Sequence, residues 1–167
     1  IKPVDSFSGR GITVIKNRNK KLFDSAIELA IKNSATEEYL LEKFVSGDLY
    51  SHSAFLKNKR AIKNFFVKED STVNSFVVDT SRVIFSPPPE MQRQIINAVE
   101  KLARYLRLKD GLIHSQFIWD GCNIYLIDRN RRIAGDLYSQ LIELSTGHPY
   151  VENYVRPFLD MPYKNIE

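Results

Sequence analysis

The sequence predicts an α+β fold, a mixed sheet rich in antiparallel pairs with flanking helices, and three observations predict it. Short β-branched and aromatic runs are separated by turn residues, so neighbouring strands pair as hairpins. The strongest such signal is Asp120-Gly121, set between "LIHSQFIW" and "NIYLID". Two or three segments carry apolar residues at helical spacing, without the regular strand–helix–strand alternation that a parallel sheet needs.

Taken in order, Ile1-Lys2-Pro3-Val4 reads as a strand. The loop Asp5-Ser6-Phe7-Ser8-Gly9-Arg10-Gly11 follows, and the β-branched run 12–16 would complete a hairpin around it. Leu22, Phe23, Ala26, Leu29 and Ala30 then recur at helical spacing. A strand is expected over 38–45, ended by Ser46-Gly47, and "LYSHSAFLKN" and "AIKNFFVKE" form two more around a tight basic turn. Residues 75–86 are extended as far as Pro87-Pro88-Pro89, and Pro89 suits the first turn of a helix. That helix should run over 90–108 with Met91, Ile95, Val99, Leu102 and Leu106 as its apolar stripe. After the Asp110-Gly111 turn comes the hairpin named above. A short helix in "DLYSQLIELSTG" follows, capped by Gly147, and "VENYVRPFLDM" closes the globular part.

A chain of 167 residues fits one domain with a real core. It holds a single cysteine, Cys122, so no intrachain disulfide can form, and a cytoplasmic location is expected. No apolar run approaches the roughly 18 to 20 residues of a spanning helix, so no membrane partner is expected. The net charge of +4 invites a nucleic-acid reading. Asp and Glu are spread along the whole chain, however, and the aromatic residues follow core patterning instead of Lys/Arg patches. No nucleic-acid partner is expected, and a polyanionic small molecule would suit the charge as well. The chain begins without Met, in a strand already under way, which is expected of a piece of a longer protein.

Four constellations bear on chemistry. The first is Lys2 with Ser8, Gly9, Arg10 and Gly11. A glycine-bearing loop brings backbone N–H groups close to an anion, yet the pattern is neither a P-loop nor a dinucleotide fingerprint, and alone it also reads as a hairpin turn. The second is "LLEKFVSGD", where an apolar wall stands beside free backbone groups, as adenine needs; it is equally a strand leaving the core. The third is "IYLIDRNRRIAG". Asp128 and Asn130 are two apart, hence on one face of a strand, and Arg132 joins them if the strand persists, with Asp136 near the next helix start. Magnesium takes a few protein oxygens and completes its octahedron with phosphates and waters. Surface salt bridges at a strand end are the other reading. The fourth is Gln116, expected opposite Asp128; a neutral amide is a weak metal ligand. His114, two residues earlier on the same face, reads as structural.

Together and in this order these residues resemble the ATP-grasp superfamily, in particular the ATP-binding domains of the carbamoyl-phosphate synthase large subunit and of biotin carboxylase. "IKPVDSFSGRGI" is similar to the family's lysine strand and glycine-rich lid loop, "LLEKFVSGD" to its adenine hinge, and "LIDRNRRIAGD" to its metal strand, usually Glu-x-Asn-x-Arg. The resemblance implies that residues 1–160 are the C-terminal portion of an ATP-grasp domain. Residues 1–45 would carry the glycine loop and hinge, 46–160 the metal-binding sheet and helices, and 161–167 a tail or linker. It implies ATP and Mg²⁺ (or Mn²⁺) as cofactors, and a carboxylate and an amine as substrates. Lys2, Ser8, Gly9, Arg10 and Gly11 would hold phosphates, Glu42, Lys43 and Val45 the adenine, and Asp48 the ribose. Asp128 and Asn130, with Gln116 weakly, would bind the metal, while Arg132 would stabilise an acyl-phosphate and Asp136 would act beside it. The implied reaction phosphorylates a carboxylate with ATP for attack by an amine or similar nucleophile.

Three departures qualify this. Gln116 stands where the family commonly has an acidic metal ligand, Asp128 is one methylene shorter than the usual Glu, and the family's domain begins earlier. N-terminal domains of the same chain are therefore expected partners, a homodimer is open, and these residues alone are expected to fold without catalysing. A non-catalytic nucleotide-binding or regulatory domain is the alternative function.

Overall fold

The structure is a computed structural model that describes residues 1–166. The chain divides into two compact units, the first made of Ile1–Val45 and Ser71–Asp79, the second of Ser46–Asp70 and the residues from Thr80 onward.

In the first unit, strand β1 (Lys2–Pro3) pairs antiparallel with β2 (Tyr39–Leu40), and helix α1 (Lys20–Lys32) packs on both. The Asn19 side chain caps α1 by accepting from the Leu22 N–H at 3.2 Å. Ala26 and Ala30 are its buried face, whereas Leu22 and Leu29, expected in the stripe, are half exposed.

The hairpin expected between residues 1–4 and 12–16 does not form. Ile1 and Thr13 exchange one pair of backbone hydrogen bonds, each 2.9 Å, and the ladder stops there. The next hydrogen-bonded pair would be Pro3 with Gly11, and Pro3 has no N–H to give. The strand expected over 38–45 likewise shrinks to Tyr39–Leu40, because β1 offers only two residues to pair with.

The second unit is a five-stranded antiparallel sheet in the order β5-β4-β3-β6-β7. Its strands are β3 (Asp48–Lys57), β4 (Arg60–Asp70), β5 (Thr80–Val83), β6 (Gly111–Trp119) and β7 (Ile124–Asn130). The extended stretch expected over 75–86 contributes only the four residues of β5.

Alternation along β3 and β6 creates two faces. Tyr50, Ala54, Leu56, Phe66, Ile113, Phe117 and Trp119 form one core with Met91, Ile95, Val99 and Ala103 of helix α2 (Pro89–Tyr105). This helix ends three residues before the expected boundary, and Leu106, past its end, is exposed. Glu100 is buried on α2, where it pairs with Arg60 at 3.1 Å and accepts from the Ala61 N–H.

On the opposite face Phe55, Phe65, Val67 and Leu112 pack against Tyr138 and Ile142 of α3 (Tyr138–Thr146) and Tyr150 of α4 (Tyr150–Val155). Gly147 ends α3 as expected. A 3₁₀ turn, Arg156–Leu159, follows α4. The segment around Tyr163 and Lys164 is anchored: the Tyr163 hydroxyl donates to the Leu56 carbonyl at 2.7 Å, and Lys164 N–H to Asn153 at 2.8 Å. Among the described residues no helix is long and apolar enough to cross a membrane.

Candidate functional site

The second sheet face changes character along its length. At one end Phe55, Phe65 and Leu112 are covered by α3 and α4. Continuing the same alternation, the side chains become Ser53 and Ser51 on β3, His114 and Gln116 on β6, and Glu69 on β4. No helix-borne apolar stripe covers a row of that composition without stranding polar groups, so this end of the face is where polar chemistry gathers.

Strand β7 completes it through an irregularity. Phe117 is opposite Leu126 and Gln116 is opposite Asp128, so Ile127 is an extra residue, a bulge. Strict alternation would place Asp128 on the face of Leu126, towards α2. The bulge sends Asp128 and Asn130 to the other face, beside Gln116 and His114, their register partners. The Asn130 amide donates to Asp128 Oδ2 at 3.4 Å, so the two side chains are neighbours. One carboxylate and two amides thus present oxygen donors from one face. Among the described residues no group of three His, Cys, Asp or Glu could hold a metal. A hard cation here would rely on amide oxygens and on the oxygens of its own ligand, which suits Mg²⁺ with phosphates and suits a softer metal poorly.

The three guanidinium groups that follow have different situations. Arg129 points to the α2 face, where it is the register partner of buried Ser115, itself opposite His52. Arg131 donates to the carbonyls of Lys109 (2.9 Å) and Asp110 (3.1 Å), and it fills the space where a side chain on Gly111 would stand. Arg129 donates to the Ala98 carbonyl of α2 at 3.4 Å, so it ties the sheet to the helix, while Arg131 ties the chain after β7 to the start of β6. Arg132 lies past the end of β7, so the strand does not persist to place it by alternation. Its N–H donates to Asn130 Oδ1 and its guanidinium to the Ile133 carbonyl. The charges of Asp136 and Asp128 favour a proton on His114, and that of Arg132 opposes it. Asp136 also accepts from the Tyr138 N–H at 2.9 Å, opening α3.

Two buried groups stand in this row: His114, which the sequence reads as structural, and Glu69, which no motif singles out. His114 is buried; its Nδ1 is 2.9 Å from Ser53 Oγ, and its ring meets Tyr138 edge-on at 4.9 Å. Burial pushes its pKa down to about 4, against the pull of Asp136 and Asp128. Glu69 is 5% exposed and accepts from Gln116 Nε2 at 2.8 Å. Burial raises its pKa, with Ser51 and Gln116 opposing. The legible signal was the alternation Phe65, Val67, Glu69, a carboxylate continuing an apolar face. Asp48 does not join this group: it faces the α2 side of the sheet and pairs with Lys68 at 3.0 Å.

The first unit holds the remaining predicted residues. Lys2 Nζ pairs with Glu42 at 2.9 Å, so a phosphate would compete with Glu42 for that charge. Asp5 anchors the glycine loop, accepting from Ser34 Oγ (2.7 Å) and from the N–H groups of Ala35 and Thr36. These bonds, that from Ser34 first, hold its carboxyl below the usual range. Ser8, Gly9 and Gly11 all have positive φ, and the Arg10 guanidinium stacks over the Phe7 ring at 4.8 Å. The stretch 41–46, with Lys43 exposed and Val45 half buried, lies outside any β ladder, which leaves its backbone groups available.

Packing by itself requires glycine at position 11. A Cβ there would approach Pro3 Cγ at 2.7 Å and Asn33 Cβ at 2.8 Å, and its φ of +76° disfavours any other residue. Gly11→Ala is expected to destabilise the protein by about 1–3 kcal/mol, read from the urea unfolding midpoint.

A family model for the ATP-grasp domain matches residues 1–140, and the chain belongs to that family. Solved structures share its fold. The biotin carboxylase domain dimer of Hydrogenobacter thermophilus 2-oxoglutarate carboxylase, solved with MgADP, ADP and bicarbonate, is 22% identical. That match covers 93% of this chain and 35% of the other, with a TM-score of 0.69. D-alanyl-alanine synthetase A from Vibrio cholerae is 18% identical over 96% of this chain and 50% of its own (TM-score 0.67). An L-amino acid ligase from Bacillus licheniformis is 14% identical over 84% and 34% (TM-score 0.61). The chain therefore spans a third to a half of these proteins. No curated protein sequence matches it significantly.

Proposed function

We propose that the chain is the ATP- and Mg²⁺-binding portion of an ATP-dependent ligase of the carboxylate–amine type, resembling the carbamoyl-phosphate synthase and biotin carboxylase group. The observation that carries this reading is the bulge-directed row of Gln116, Asp128 and Asn130 on one polar sheet face of an ATP-grasp fold. Those three residues would hold Mg²⁺ (or Mn²⁺), which when bound neutralises phosphate oxygens. In the first unit, Lys2 and the loop Ser8-Gly9-Arg10-Gly11 would bind phosphates, and the unladdered stretch with Glu42, Lys43 and Val45 would meet the adenine. Asp48, engaged by Lys68, is a weaker choice for the ribose.

In this reaction an oxygen of the substrate carboxylate attacks the γ-phosphorus of ATP. The new P–O bond forms as the bond to the β–γ bridging oxygen breaks, and ADP leaves. An amine then attacks the acyl-phosphate carbonyl, loses a proton, and phosphate departs. Arg132 is the cation assigned to the acyl-phosphate oxygens, and Asp136 orders the start of α3 beside it.

A non-catalytic nucleotide-binding domain is the second reading, favoured by the single carboxylate in the donor set. Calorimetric titration of a non-hydrolysable ATP analogue, with and without Mg²⁺, separates them. Asp128→Ala is expected to remove the Mg²⁺-dependent gain in affinity, about tenfold or more. Binding indifferent to both Mg²⁺ and Asp128 would favour the second reading, and absence of binding in the full-length protein would reject both.

A further inference from the structure

We infer that Glu69 is a positioning residue: it orients and polarises the Gln116 amide so that a neutral side chain serves as a competent metal ligand. The inference rests on the proposed metal site and adds to it a residue from a different strand.

A glutamine offers a metal one useful atom, Oε1. Its other end, Nε2, is a donor that repels a cation. With both ends free the amide rotates about its last bond, and half of its orientations present the wrong atom. In this structure the choice is made. Gln116 Nε2 donates to Glu69 Oε2 at 2.8 Å. With that oxygen accepting, the nitrogen end is held towards β4 and Oε1 is left for other partners. Strand β4 lies on the far side of β3 from Gln116, whereas Asp128 is its register partner on β7, the opposite neighbour of β6. The bond to Glu69 therefore turns the donor end of Gln116 away from the strand that carries Asp128 and Asn130.

A second effect follows from charge. An amide N–H bonded to a carboxylate shifts electron density towards its own oxygen, and more so in a site of low dielectric. Glu69 is almost wholly buried and Gln116 partly so, hence water screens the pair less than it would at the surface. Carboxylates perform this service for metal-bound histidines by accepting from the ring nitrogen that is not ligated. Glu69 and Gln116 are the amide counterpart. The acid that the family places directly in the donor set is here set one hydrogen bond behind it.

The alternative is that Glu69 and Gln116 are only a buried hydrogen bond that holds β4 and β6 in place. The test measures Mn²⁺ affinity in the presence of a non-hydrolysable ATP analogue, from the spin-resonance signal of free Mn²⁺, on the full-length protein. It needs no turnover. Glu69→Gln keeps the size of the side chain and removes the acceptor-only partner. Mn²⁺ should bind about tenfold or more weakly, with metal-free nucleotide affinity unchanged. The double variant Glu69→Gln with Gln116→Glu reverses the hydrogen bond and puts the carboxylate in the ligand position, and it should recover wild-type affinity or exceed it. A purely structural bond predicts instead that Glu69→Gln lowers the urea unfolding midpoint while Mn²⁺ affinity stays at the wild-type value.

Mn²⁺ affinity unchanged in Glu69→Gln, while Asp128→Ala abolishes binding, would overturn the inference and leave the metal site standing. No loss in Asp128→Ala would overturn both. If Glu69→Gln does not fold, the double variant decides: affinity well below wild type refutes the role of Glu69.

Discussion

Lowering the pH from 7 to 4 is expected to remove about 6 kcal/mol of stability through His52 and His114 alone. Burial drives the pKa of each from 6.5 down to about 4. The sign follows from where the protons go. Between these values the unfolded chain binds a proton at each site and the folded chain does not, so stability rises with pH across this window. The contribution is fully present above pH 6.5. It is lost progressively below that, by about 3 kcal/mol per ring on reaching pH 4.

The surroundings explain why neither ring accepts a proton. His52 lies wholly buried over Phe66, with its Nε2 2.8 Å from Asn64 Oδ1, and the charge of Arg129 opposes protonation. His114 is held by Ser53 and Tyr138, so charging it disturbs the hydroxyl network that Tyr150 completes by donating to Ser53 at 2.9 Å. Each charged ring would also disfavour the other. Glu69 works in the opposite sense, since burial raises its pKa and protonation suits the folded state. Urea unfolding at a series of pH values checks the expectation, and His52→Asn should flatten the acid limb. A stability independent of pH between 7 and 5 would contradict it.

Phe55→Ala is expected to cost about 3–5 kcal/mol, a large share of the roughly 5–15 kcal/mol that stabilises a typical domain. Phe55 is fully buried and stands at the centre of a ring cluster. Phe65 (6.4 Å), Tyr150 (5.3 Å) and Tyr163 (5.5 Å) meet it edge-on, and His148 (5.5 Å) is tilted against it. These partners come from β4, the α3–α4 connection, α4 and the C-terminal segment, so the cavity has walls on several elements and collapses poorly. The loss of Phe55 removes the ring under Tyr163, whose hydroxyl holds residues past 160 to Leu56. Proteolysis after residue 160 should accelerate in the variant. Phe158→Ala is the control: that ring is 71% exposed, and its loss should change stability by about 0.5 kcal/mol or less. Equal effects from the two variants would refute the assignment of the core.

Local patterning determined much of this protein. Alternating runs with tight turns defined β3, β4, β6 and β7, because a half-buried strand and its turn leave their marks within ten residues. The helical stripe at Met91, Ile95 and Val99, with Pro89 ahead of it, defined α2 in the same way. Asp128 and Asn130 shared a face by alternation, and Gln116 was expected opposite Asp128; the register places it so.

Tertiary structure decided the rest. Residues 12–16 have strand composition yet form no ladder, because their partner runs into Pro3. The strand over 38–45 dwindled for want of a template. Which face Asp128 occupies was not legible either, since alternation from Leu126 points it towards α2. The extra residue Ile127 reverses that, and a bulge exists only in relation to the strand it pairs with. Glu69 reaches Gln116 from 47 positions away and across an intervening strand. Residue types and their spacing specify local conformation and which groups share a strand face. Only the pairing of distant strands decides which of those faces meet.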